Sequence, residues 1–182
     1  KLREFNKTRI AGNAAPLIMG IGLHTGPVII GTVGGTERMD STAIGDAVNL
    51  ASRIEGMTKM YGVSLLASHE TISQPGINEQ FVIRFIDFVA AKGKNEPVEI
   101  WEVIGLQADS EAQSYSATLI TYNEAVAAFR AQNFTAAKVL FENVLHSLPD
   151  DPISQLYISR CQTALENGGA WGSDPFFRLD EK

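Results

Sequence analysis

The chain has 182 residues, 45% of them hydrophobic and 20% charged, with a formal net charge of −6. That length can bury one core or two small ones. The acidic balance argues against non-specific nucleic-acid binding, which needs a basic face. The charge is also uneven: residues 1–106 hold 10 basic and 11 acidic side chains, and residues 107–182 hold 5 and 10. Two units with different roles are therefore expected. The single cysteine, Cys161, cannot form an internal disulfide, which fits a reducing, cytoplasmic setting, and it suits the apolar face of a helix. No apolar run approaches the ~20 residues of a membrane helix, and no signal-peptide pattern is present. Any membrane tether would belong to a longer parent, and the opening at Lys1, inside a helical pattern, reads as a cut.

Residues 1–12 read as the end of a helix, stopped near Gly12-Asn13 and Pro16. PLIMGIGLHTG and PVIIGTVGG read as two apolar strands joined in a hairpin at Gly26-Pro27, and TERMDST as a polar loop. A helix then runs to Tyr61-Gly62, with Ile44, Ala47, Val48, Ala51 and Ile54 as its apolar stripe. Asn49 and Arg53 lie four apart, so they point the same way, roughly opposite that stripe. On spacing alone such a pair reads first as a solvated helix face, with a site as the alternative. VSLLAS reads as a strand, HETISQ as a short helical turn, and FVIRFIDFVAA and VEIWEVIG as two strands linked by KGKNEP. The pattern predicts an α+β sandwich with a mainly antiparallel sheet.

Residues 107–117, rich in Ser, Ala and Gln, read as a linker. From 118 to 167 the period is helical throughout, in three amphipathic segments. Ala125, Ala137, Phe141 and Pro149 fall where a tetratricopeptide repeat places such residues, although Ala128 stands where a large aromatic is usual. One repeat and a further helix are too little for a solenoid, so they are expected to pack on the first unit; a protein-docking scaffold is the other reading. The tail, 168–182, carries Trp171, Phe176 and Phe177, which would dock on a neighbouring surface. The three histidines, His24, His69 and His146, show no ligand spacing.

Taken in order, the Gly-rich hairpin, the R-M-D-x-T-x-I-G-D loop, the V-N-x-A-x-R helix and the late K-G-K turn resemble the class III adenylate/guanylate cyclase catalytic domain. The resemblance covers about residues 1–104 and implies the second half of a ferredoxin-like sheet-and-helix sandwich, its N-terminal strands absent. The domain boundaries are then 1–106 for the cyclase half, 107–117 for the linker, 118–167 for the helices and 168–182 for the tail.

Residue by residue, Asn49 matches the asparagine that orients the ribose. Arg53 matches the arginine that meets charge building on the phosphates. Thr42 falls where the family reads the purine, and a threonine there favours ATP without excluding GTP; a loop residue bonding its own backbone is the plain alternative. Lys92, with Lys94 as alternative, matches the lysine that approaches the phosphates. Asp40 and Asp46 match loop and helix-start positions, not metal ligands.

The implied activity is conversion of ATP to 3′,5′-cyclic AMP and diphosphate at a head-to-tail dimer interface. The partner is a second copy or a complementary cyclase half. The chemistry uses Mg²⁺ or Mn²⁺ on two aspartates of the domain's first half. The nearest match to that half's F-x-D strand is RFIDFV around Asp87, which follows the N-x-x-x-R helix and reads as structural. A catalytically silent regulatory module and a guanylate cyclase are the alternative expectations.

Overall fold

The computed structural model describes residues 2–35, 38–90, 97–168 and 177–178. The chain opens with helix α1 (Leu2–Ala11), strand β1 (Ile21–Leu23), and strands β2 (Ile29–Gly35) and β3 (Arg38–Ile44). Helix α2 (Asp46–Tyr61), β4 (Leu65–Ser68) and the short helices α3 (His69–Ile72) and α4 (Ile77–Gln80) follow. Then come the long strands β5 (Phe81–Ala90) and β6 (Val98–Leu106), helices α5 (Ser110–Arg130), α6 (Phe134–Ser147) and α7 (Pro152–Glu166), and β7 (Phe177–Arg178). Among the described residues the main sheet has the order β1-β4-β6-β5-β7, and β2-β3 form a separate antiparallel ribbon. The class is α+β, with a helical extension after the sheet.

Three expectations are corrected. β1 and β2 do not pair as a hairpin: β1 runs parallel to β4, with Ile21 opposite Leu65. Parallel neighbours need a long crossover, and α2 lies within it, so the Gly26-Pro27 turn joins strands of different sheets. The hairpin is β2-β3 instead, with Gly31 opposite Thr42, so much of TERMDST is strand. The 107–117 stretch is not a linker, because α5 begins at Ser110 behind its N-cap Asp109. Its small polar residues serve as ordinary helix positions once Ala112 and Tyr115 turn inward. In the tail, Phe177–Arg178 pairs with Val89–Ala90, while Trp171 and Phe176 lie outside the described residues.

The helices of the extension share one hydrophobic core with the sheet. It runs from Leu50, Ile54 and Met57 of α2 through Ile86 and Ile100 to Phe141, Tyr157 and Ala164. Cys161 sits fully inside it, and burial pushes its thiol up to about 11, so it remains a protonated apolar filler at neutral pH.

Polar contacts fix the docking at an irregularity in β5. Phe85 faces Trp101 and Asp87 faces Ile100, so Ile86 is a bulged residue without a partner on β6. The Tyr122 hydroxyl of α5 donates to the Phe85 carbonyl at 2.7 Å, and the Tyr157 hydroxyl of α7 donates to the Ile86 carbonyl at 2.9 Å. Beside them Arg84 donates two hydrogen bonds to Asp151, the N-cap of α7, at 2.9 and 2.7 Å, and one to Glu102 at 2.8 Å. Burial opposes charge on Asp151, but the bonds and charge of Arg84 and the Ser154 cap outweigh it and hold the carboxyl below its usual range. Tyr122→Phe removes one hydroxyl and leaves a buried carbonyl unsatisfied, so it should cost about 1–3 kcal/mol. Urea denaturation should show this as a lower midpoint in one shared transition; a separate early transition of the helices would refute the single core.

Candidate active site

The helix bearing the sequence-predicted pair is held in place from its first residue. Gly45 precedes α2 with φ of 151°, a conformation that favours glycine. This turns the chain from β3 directly into the helix. The Val48 N–H donates to the Gly45 carbonyl at 3.1 Å and the Asn49 N–H at 3.4 Å. Asp46 stands in the first turn, where its charge suits the helix dipole.

α2 then lies on β1 at backbone contact. A Cβ on Gly22 would fall 2.2 Å from the Glu55 nitrogen and 2.4 Å from the Ala51 carbonyl oxygen. Gly20 shares that strand face by the two-residue period, and a Cβ there would meet Thr58 Oγ1 at 2.1 Å. The glycines of the I-M-G-I-G-L run thus let the helix approach the sheet.

The face α2 buries is Ala47, Leu50, Ile54, Met57 and Tyr61. The predicted stripe is right at Ala47 and Ile54 and wrong at its start. Ile44 belongs to β3 and is exposed, Val48 is exposed on α2, and Ala51 is half-buried over Gly22. Asn49 and Arg53 lie on exposed helix positions one turn apart. Thr42 is half-buried on β3, three residues before the Gly45 turn. Lys92 and Lys94 lie outside the described residues. The surface beside the Gly45 turn is apolar: Ile29 and Ile30, paired with Ile44 and Ala43 of β3, are 74% and 77% exposed.

Among the described residues, no group of three or more His, Cys, Asp and Glu side chains is placed to hold a metal ion. Asp87 already accepts at both oxygens, from Tyr61 and Arg160 at Oδ2 and from the Phe88 N–H at Oδ1. These residues therefore do not fit the cation pair that the resemblance implies.

Sequence spacing also missed what the fold brings together. His24 Nδ1 lies 2.7 Å from Ser68 Oγ and 3.7 Å from Glu70, while His69 pairs with Glu99 at 3.2 Å. The two histidines thus sit at the adjacent ends of β1 and β4. A cavity of about 170 Å³ opens at the far end of α2, lined among others by Gly62, Arg84, Glu102, Glu111, Tyr115 and Pro152. It lies on the seam with the extension, away from Asn49 and Arg53.

The chain belongs to the adenylate and guanylate cyclase catalytic domain family, which it matches over residues 1–105. A terminal-differentiation-specific adenylate cyclase of Dictyostelium discoideum is 37% identical over 143 residues, 78% of this chain and 7% of that protein. An adenylate cyclase of Anabaena cylindrica is 52% identical over 86 residues, 47% of this chain and 17% of that protein. The solved guanylyl cyclase Cya2 is 33% identical, covering 60% of this chain and 53% of its own, with a TM-score of 0.47. The chain thus spans less than a fifth of the length of these two curated relatives. No helix among the described residues is long and apolar enough to cross a membrane.

Gly22→Ala forces α2 away from β1, since the atoms it would meet are backbone. The substitution should destabilise the chain by about 1–3 kcal/mol and speed amide exchange along α2. Wild-type exchange and stability would show that the close approach is dispensable.

Proposed function

We propose that this chain supplies the ribose- and phosphate-binding side of an adenylate cyclase that converts ATP to 3′,5′-cyclic AMP and diphosphate. The observation that carries the reading is the pair Asn49 and Arg53, one turn apart on the exposed side of a helix held against the sheet. The substrate's 3′ oxygen attacks its own α-phosphorus as diphosphate leaves, so negative charge shifts among the phosphate oxygens. A guanidinium fixed by a rigid helix favours that charge distribution over the ground state. In this scheme Asn49 holds the ribose, Thr42 reads the base and Lys92 meets the phosphates.

The carboxylates for Mg²⁺ or Mn²⁺ come from a complementary cyclase half, on a partner chain or on a longer second copy that carries the first half of the domain. The exposed Ile29, Ile30 and Ile44 support such an assembly, since apolar surface of this kind favours a partner. That several relatives are named adenylate cyclases, including one from Rhizobium meliloti, supports ATP rather than GTP as the substrate. The cytoplasm, where ATP and reduced thiols are plentiful, is the proposed location. Burial of Ala125, Ala137 and Phe141 supports a tetratricopeptide-like packing of the extension. A second reading, a catalytically silent module keeping the same face, is favoured by the lack of a metal-binding cluster among the described residues.

The deciding measurement is cyclic AMP formation from ATP and Mn²⁺ by this chain, alone and mixed with the first half of a class III catalytic domain. Turnover only in the mixture supports the enzyme reading, and inertness in both supports the silent module. In the active mixture, Arg53→Ala should lower kcat by about 10²–10³ with the fold intact; near-normal turnover would remove Arg53 from its role. Thr42→Cys should narrow the preference for ATP over GTP, and an unchanged ratio would mean that the base is read elsewhere.

A further inference from the structure

The C-terminal end of α2 is held by the helical extension. The Tyr61 hydroxyl, on the last residue of α2, donates to Asp87 Oδ2 at 2.8 Å. Arg160 of α7 donates to the same oxygen at 2.6 Å. Tyr61 and Asp87 are 2% and 6% exposed, so this relay works out of water. Burial and the Asp87 charge together push ionisation of Tyr61 far above its ordinary range, keeping it a donor. Burial works against charge on Arg160, but Asp87 outweighs it and holds the guanidinium charged. A second contact lies one residue further on: a Cβ on Gly62 would be 3.2 Å from the Pro152 ring at the start of α7. The tip of α2 is therefore set by α7 at two points, by a charged relay and by packing.

We propose that Arg160 and Asp87, acting through Tyr61, are positioning residues for Asn49 and Arg53, so that the helical extension sets the geometry of the nucleotide site. This rests on the reading of α2 as the site helix. A helix rises about 1.5 Å per residue, so Arg53 and Asn49 lie roughly 12 and 18 Å from Tyr61 along one rigid rod. A tilt at the tip is carried to both side chains, and a misplacement of about 1 Å costs up to 10²-fold in rate. An independent observation agrees. The match to the Dictyostelium adenylate cyclase is 143 residues long against 105 for the family match, so it necessarily enters the helices beyond the sheet. The extension thus accompanies the cyclase segment in a distant relative.

The test compares wild type, Tyr61→Phe, Arg160→Met and Arg160→Lys in the full chain. Tyr61→Phe keeps the buried ring and removes only the hydroxyl, so it remains informative if Arg160→Met fails to fold. In the mixture with the complementary half, Tyr61→Phe should lower kcat about tenfold, with KM for ATP changed less than twofold. Arg160→Lys should recover most of the loss seen in Arg160→Met. In the chain alone, amide exchange over residues 49–61 should speed up in Tyr61→Phe while that of α6 stays unchanged. Unchanged exchange on α2, or lowered stability with kcat intact, would overturn the proposal. Faster exchange on α2 in a mixture without cyclase activity would sustain the mechanical link and defeat the functional reading instead.

Discussion

The structure depends on one displaced residue in β5. Arg84 and Asp87 are three apart, and in a regular strand they would point to opposite faces. The bulge at Ile86 cancels that alternation. Their partners on β6 are Glu102 and Ile100, which are two apart and so share a face. Both charged side chains of β5 are thereby turned toward the same layer, where Asp151 and Arg160 of the extension meet them. The bulge also frees carbonyls that Tyr122 and Tyr157 take up. Without it Asp87 would face away from Tyr61 and Arg160, and α7 would lose one of its two ionic anchors.

Ion pairs this deep are a poor source of net stability, because desolvation offsets most of their attraction. Arg84 is 1% exposed and Asp151 fully buried. The hydrophobic core, shared by α2, the sheet and the three helices, supplies the driving force. The pairs supply register instead. An apolar seam between helices and sheet tolerates sliding, whereas a bidentate guanidinium-carboxylate pair fixes position and angle together. The bidentate Arg84–Asp151 pair at the start of α7 and the Arg160 bond to Asp87 further along it leave α7 a single seating on β5.

The sequence made the segments legible wherever the chain carries local signals. α2 follows its glycine start and glycine stop, β4 to β6 read as apolar runs between breakers, and the three helices show their period. It misled where pairing is non-local. β1 and β2 look like a hairpin because two apolar runs flank Gly26-Pro27, yet the partner of β1 is β4, beyond the helix. The linker reading failed because serine and glutamine are tolerated on a helix whose inward positions, Ala112 and Tyr122, suffice to bury it. At the site, Asn49 and Arg53 were readable as a helical pair. The anchor of their helix was not: Tyr61, Asp87 and Arg160 are 26 and 73 residues apart in contacts that only the bulge permits.

The two ends of α2 consequently live in different surroundings. Its C-terminal end is enclosed by β5 and α7, with Tyr61 buried and Gly62 against Pro152. Its N-terminal half emerges beside the β2-β3 ribbon, with Asn49, Arg53 and Val48 exposed among bare isoleucines. A group that stabilises migrating charge has to be rigid before the substrate arrives and reachable when it does. Asn49 and Arg53 stand on exposed positions of α2, and the closed end of the same helix is anchored through Tyr61 and Asp87. On the proposed reading this division explains why a small helical extension packs over β5 and β6, away from Asn49 and Arg53. It steadies the helix from the end that the substrate does not use and leaves the other end free for nucleotide and partner.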